Sequence, residues 1–287
     1  MSRSSRLAAL SVLTALAVLL GCTVPSTAHL PVPAPDSGSG STATAGTAAP
    51  ATGRDSRRSG FEFMGAATQA MQRDDSANPA MLGVQDGEML WNTAPAPQAK
   101  ACVACHAAAQ SSMKGVAARY PAWDGPLARP VNLGTRINLC RQRHQQLPPL
   151  TADHQQLLNL EAYVGLQSRG LPVTPDLDPR LVPFRERGAE RFVQRMGQLD
   201  LSCAQCHDQL AGLKLAGSVI PQAHPTGYPI YRLEWQALGS LQRRLRGCMT
   251  GVRAEPFAPG SVEFVELELH LAARAMGMAL ETPAVRP

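Results

Sequence analysis

Cys102-Val103-Ala104-Cys105-His106 and Cys203-Ala204-Gln205-Cys206-His207 decide what kind of molecule this is. Each sets two thiols three residues apart with an imidazole immediately after. Thiols at that spacing reach both vinyl groups of a haem, and the histidine reaches one face of its iron; this is the attachment signal of a c-type cytochrome. With 7 cysteines and 7 histidines in 287 residues, two such motifs arise by chance in about 1 in 100,000 chains. A redox CxxC pair or half a zinc site leaves the repeated histidine unexplained. The expectation is two covalently bound haem c groups, one on Cys102 and Cys105, the other on Cys203 and Cys206, with His106 and His207 as axial ligands.

Outward from the motifs the chain repeats itself. Gly87 stands 15 residues before Cys102 and Gly188 stands 15 before Cys203. Downstream, Cys140 and Cys248 are 108 apart, and Gly170 and Gly277 are 107 apart. Each half closes on a helical pattern. In the first, Thr151 is the cap, Leu157, Leu160 and Val164 form the apolar face, and Gly170 is the stop. In the second, Ser261 is the cap, Phe264, Leu267 and Leu271 form the face, and Gly277 is the stop. Strand signal is slight. The fold class expected is all-α: two cytochrome c-like domains related by internal duplication, at residues 59–172 and 173–287, after a flexible N-terminal tether.

That tether is residues 22–58, rich in Pro, Ala, Ser, Thr and Gly and too poor in apolar side chains to fold. Residues 1–21 read as an export signal: Arg3 and Arg6, then an apolar run too short to span a membrane. The run ends in Leu19-Leu20-Gly21-Cys22, which resembles a lipobox, so Cys22 is expected to be acylated and to anchor a periplasmic protein; ordinary cleavage after Ala28 is the alternative. The net charge of +5 and the lack of a basic tract interleaved with aromatics exclude nucleic acid as a partner. Aromatics at 5% suit a core partly made of cofactor.

Each iron needs something on its other face. Met113, Met249, His144 and His224 are candidates, as are Cys140 and Cys248, which follow their histidines by 34 and 41 residues. In an oxidising compartment those two cysteines also suit a disulfide. Their matched positions favour one local role repeated in each half.

Five stretches carry a more specific likeness: residues 113–121, Arg136-Ile137-Asn138-Leu139-Cys140-Arg141, residues 197–208, residues 224–235 and residues 243–256. Together they resemble the SoxA family, a subunit of the SoxAX cytochrome in bacterial thiosulfate oxidation. The likeness runs from about Phe61 to Arg286. It implies two cytochrome c-like domains and pairing with a monohaem SoxX-like cytochrome. It also implies oxidative transfer of thiosulfate to a cysteine of the carrier SoxYZ, forming a cysteine S-thiosulfonate, with electrons passed to a cytochrome c acceptor. By the same resemblance His106 and Cys140 ligate the first haem, and His207 and Cys248 the second. Cys248 is then the reactive residue, found as a persulfide, and Arg244 binds substrate.

Leu238, Leu241 and Leu245 predict a helix running into Cys248, which sets Arg244 and Cys248 on one face as an i, i+4 pair. A guanidinium there meets an oxyanion through charge-assisted bonds. The first half offers a control, because Arg136 also stands four residues before Cys140, which leaves a structural role for the shared arginine, holding a haem propionate or the ligand thiolate, as the alternative. The halves differ beside it: Arg243 and Arg246 replace Thr135 and Asn138, and Gly247 replaces Leu139. Positive charge is gained and bulk lost, which makes Arg243, Arg246 and Arg253 further candidates for holding the anion. A pure electron carrier and a dihaem peroxidase are the competing functions.

Overall fold

The computed structural model describes residues 56–287. The export signal, Cys22 and the tether up to residue 55 lie outside the described residues. Helix α1 (Ala66–Arg73) leads into the first half, which holds α2 (Ala80–Asn92), α3 (Cys102–His106), α4 (Ala109–Ser112), strands β1 (Ala122–Asp124) and β2 (Arg129–Val131), then α5 (Leu133–His144) and α6 (Gln155–Leu166). The second half holds α7 (Val182–Val193), hairpin β3 (Lys214–Leu215) and β4 (Ser218–Val219), strands β5 (Ile230–Arg232) and β6 (Ala237–Gly239), then α8 (Leu241–Gly251), α9 (Val262–Arg274) and β7 (Ala284–Arg286).

Each half is built on a crossing of its first and last long helices, α2 on α6 and α7 on α9. Glycine permits the close approach. A Cβ on Gly87 would lie 2.1 Å from the Asn159 carbonyl oxygen, and one on Gly188 would lie 2.0 Å from that of Glu266. Aromatic rings fill the space beside each crossing, Trp91 against Tyr163 and Phe192 against His270.

The expected helices form, with changes at their ends. Ser261 caps α9 by accepting from the Phe264 N–H. The cap of α6 is His154, whose Nδ1 accepts from the Gln156 N–H, because Thr151 instead closes a turn with its carbonyl on the His154 N–H. Gly170 and Gly277 both sit at positive φ, where a side chain is disfavoured. The helix carrying Cys248 starts after Ser240, a side-chain cap on the Arg243 N–H, and runs on through Gly247 to Gly251; Leu238 belongs to β6. The strands are short. The extra hairpin β3–β4 falls in the stretch that makes the second motif-to-cysteine spacing 41 residues rather than 34.

The halves interlock. β6 of the second half packs on α6 of the first, and β2 of the first packs on α9 of the second. Leu238 thereby enters the core with Trp91, Leu158 and Tyr163. Strand β7 joins β5 in parallel, so the chain's last strand completes a three-stranded sheet. The approach to α1 lies on the second half: Arg57 donates to the Arg274 and Met276 carbonyls, and the Arg58 N–H donates to Gln222.

Candidate active site

Helix α3 presents Cys102 and His106 to a cavity of about 320 Å³, and Met113, Arg136 and Cys140 from the following segments line it too. Trp91 stands beside His106, ring centroids 5.7 Å apart, with its Nε1–H on the Ala107 carbonyl. Burial pushes the Cys102 thiol above its ordinary value, and the neighbouring Cys140 adds to this. Burial also raises Cys140, outweighing Arg136 and Arg143.

The first-half guanidinium is already committed. Asp124, 1% exposed on β1, meets Arg136 Nη1 at 2.8 Å and Arg143 through both oxygens at 3.1 Å. The Arg143 hydrogen bonds first, then the Leu127 N–H and the charge of Arg136, hold its carboxyl down to about 2 against burial.

The second cavity, about 280 Å³, is lined by His207, Tyr228, Arg232, Arg244, Leu245 and Cys248 among others. His207 Nδ1 lies 2.7 Å from the Pro221 carbonyl, which fixes the ring and leaves the other nitrogen for a ligand. Burial opposes ionisation of Cys248, but a hydrogen bond from His207 and the charges of Arg244 and Arg232 bring its pKa below the usual thiol value. Cys203 is pushed up to about 11 by burial and by Cys248. Burial sends Tyr228 up to about 12.

These groups fit a covalent haem. In each half a thiol of the motif lies near the distal cysteine, and the motif histidine shares a cavity with that cysteine. Cys140 and Cys248 are both free thiols in separate cavities, so they form no disulfide. Among the other candidates, Met249 is buried in the core with Phe192 and Phe264. His144 is exposed at the end of α5. His224 borders the second cavity, with its Nδ1 2.8 Å from the Arg58 carbonyl.

Of the arginines singled out around Cys248, Arg244 alone lines its cavity. Arg243 lies over the Trp235 ring, 4.2 Å from its centroid. Arg246 is exposed, and Arg253 borders a separate groove with Met249. Sequence reasoning missed Arg232 and Arg286, which come in from β5 and β7. The 108-residue offset carried the signal for Arg232, since it falls opposite Asp124.

The SoxA/TsdA cytochrome c domain family matches the chain twice, over residues 86–173 and 187–280. The L-cysteine S-thiosulfotransferase subunit SoxA of Pseudaminobacter salicylatoxidans is 38% identical over 229 residues, 79% of this chain and 80% of that protein. Its counterpart from Rhodovulum sulfidophilum is 35% identical over 232 residues, 81% of each. The crystal structure of SoxXA from P. pantotrophus superposes with a TM-score of 0.77 at 33% identity, covering 80% of this chain and 87% of that one. With the cytochrome c domain present twice and the match extending over most of its length, the chain belongs to the SoxA family of c-type cytochromes.

Proposed function

We propose that the chain is the thiosulfate-handling subunit of an L-cysteine S-thiosulfotransferase, working in the periplasm with a SoxX-like monohaem cytochrome. It couples thiosulfate to a cysteine of the SoxYZ carrier: the carrier thiolate and thiosulfate join through a new sulfur–sulfur bond, and two electrons leave for a cytochrome c acceptor. The observation that carries this reading is Cys248 facing His207 in a cavity walled by Arg244, where the equivalent Arg136 of the first half is tied to Asp124.

Two covalent haems, on Cys102 and Cys105 and on Cys203 and Cys206, supply one-electron acceptors when bound. His106 with Cys140, and His207 with Cys248, would hold the irons. Pro221 orients His207. Arg244 binds the thiosulfate dianion and sets its outer sulfur toward Cys248, which carries a sulfane sulfur as a persulfide in the resting form. Tyr228 stays a neutral phenol at physiological pH, because burial raises its pKa to about 12. The first half, with Arg136 neutralised, supports the fold and takes no substrate. Acylated Cys22 anchors the chain; the mass of the mature N-terminal peptide tests that directly.

The deciding experiment mixes the haem-loaded complex with thiosulfate, SoxYZ and oxidised cytochrome c, then weighs the carrier. A thiosulfonate adduct, with two equivalents of cytochrome reduced per adduct, is expected. Cytochrome reduction with no change in carrier mass would leave only the electron-carrier reading.

A further inference from the structure

The two halves can be compared position by position around their distal cysteines, and one position reverses its charge. In the first hairpin Ala122 pairs with Val131 and Asp124 with Arg129; in the second Ile230 pairs with Gly239 and Arg232 with Ala237. Helix α5 begins two residues after β2, and α8 begins two residues after β6. Their caps, Asn132 and Ser240, each accept from the N–H three residues on. By this register Cys140 matches Cys248, Arg136 matches Arg244, and Asp124 matches Arg232.

The carboxylate that occupies Arg136 is therefore absent from the second half, and a guanidinium stands in its place. Among the described residues no carboxylate lies within ion-pair distance of Arg244. Arg232 is only 13% exposed in its side chain and lines the same cavity. Its bonds hold it in place: Glu234 at 2.6 Å, itself 62% exposed, and the Pro287 oxygen at 2.7 Å. Arg286, the third guanidinium in this wall, is engaged by Glu281 and Gln72. Burial and then the charge of Arg244 lower the Arg232 pKa, as expected of two cations sharing one pocket. Like charges held together away from water cost free energy that a bound dianion relieves.

We infer that Arg232 is a second anion-binding residue of this site, closing on the same thiosulfate as Arg244, and that an arginine in place of Asp124 at this hairpin position is what opens the second half to substrate. This rests on the proposed function for the identity of the anion. The size of the effect follows from losing a charge-assisted hydrogen bond to a partly desolvated anion, about tenfold in affinity.

The test is calorimetric titration of thiosulfate into the haem-loaded complex with its monohaem partner, without carrier or acceptor, so that no turnover is needed. Arg232→Ala is expected to weaken binding about tenfold. Arg232→Asp is expected to weaken it at least as much, by pairing with Arg244 as Asp124 pairs with Arg136. Arg232→Lys is expected to recover part of the loss, and Arg246→Ala to bind as the parent does. Covalent haem content and the absorption spectrum should not change in any of them. Unchanged affinity in Arg232→Ala, or no thiosulfate binding by the parent, overturns the inference. So does a loss of affinity that appears only together with loss of haem. Arg232-dependent binding with no adduct on the carrier would sink the transferase reading and leave this inference standing. An adduct formed by a complex in which Arg232→Ala binds normally would do the reverse.

Discussion

Arg136 and Arg244 occupy the same place in the two halves, and their neighbours give them different work. Asp124 takes up the first, whereas the second borders a cavity it shares with Cys248. Asp124→Asn should therefore destabilise the protein by about 1–3 kcal/mol at neutral pH, the cost of losing charged hydrogen bonds. The sign of the pH dependence follows from the depressed carboxyl. Its stabilisation is complete above the ordinary value of 3.8 and is lost as pH falls through about 2. Thermal melts between pH 5 and 2 should show the parent losing its advantage over Asp124→Asn. At the reacting end, Cys248→Ala should abolish thiosulfate transfer while both attachment motifs keep their haem, as a pyridine haemochrome assay would show. Arg244→Ala should cut kcat/KM for thiosulfate by about tenfold or more, the worth of one charge-assisted bond to the anion.

At the scale of elements, the two helix crossings set where everything else sits. α2 on α6 and α7 on α9 approach so closely that a single methyl group would strike the facing backbone. Gly188→Ala should cost about 1–3 kcal/mol through overpacking, lowering the melting temperature by about 2–4 °C for each kcal/mol in a chain of this size. Gly217→Ala, in the turn between β3 and β4, is a control, because nothing lies near a Cβ there. Differential scanning calorimetry of the haem-loaded variants measures both. The hairpin β3–β4 is the element the first half lacks, and Gly217, Ser218 and Val219 help line the second cavity. The extra spacing between His207 and Cys248 thus forms part of the wall of the second cavity.

Across the whole molecule, the exchange of hairpins between halves brings two equivalent glutamates to one cavity of about 360 Å³. Glu161 is pushed up to about 8 by burial and then by Glu268; Glu268 is pushed up to about 7 by burial, against hydrogen bonds from Gln242 and Asn132. Both are raised, so the folded chain binds protons that the unfolded chain has released. Their contribution is complete below the ordinary value of 4.5 and is lost as pH rises through about 7 to 8. Denaturant midpoints should fall between pH 6 and 9 in the parent. They should fall less in Glu161→Gln, whose neutral amide stands in for the protonated acid. A decline of equal size in both would refute the assignment of that pH dependence to Glu161.

Haem attachment and the duplication were legible in the amino-acid sequence, because both are written in local spacing. Covalent haem attachment depends on residues adjacent in the chain, and the repeat shows as fixed offsets between Gly87 and Gly188 and between Cys140 and Cys248. The capping by Ser261 and the stops at Gly170 and Gly277 were legible for the same reason, since helix ends are set within a few residues. Which arginines share a cavity with the Cys248 sulfur depends on the packing of separate elements. Arg243, Arg244 and Arg246 are neighbours in sequence, but a helix sends them to different places. Arg243 goes to Trp235 and Arg246 to the surface, while Arg232 arrives at the cavity from a strand. The crossing of the halves was equally out of reach. It depends on Leu238 finding a core made by the other half, and a contact between residues so distant in sequence leaves no local pattern to read.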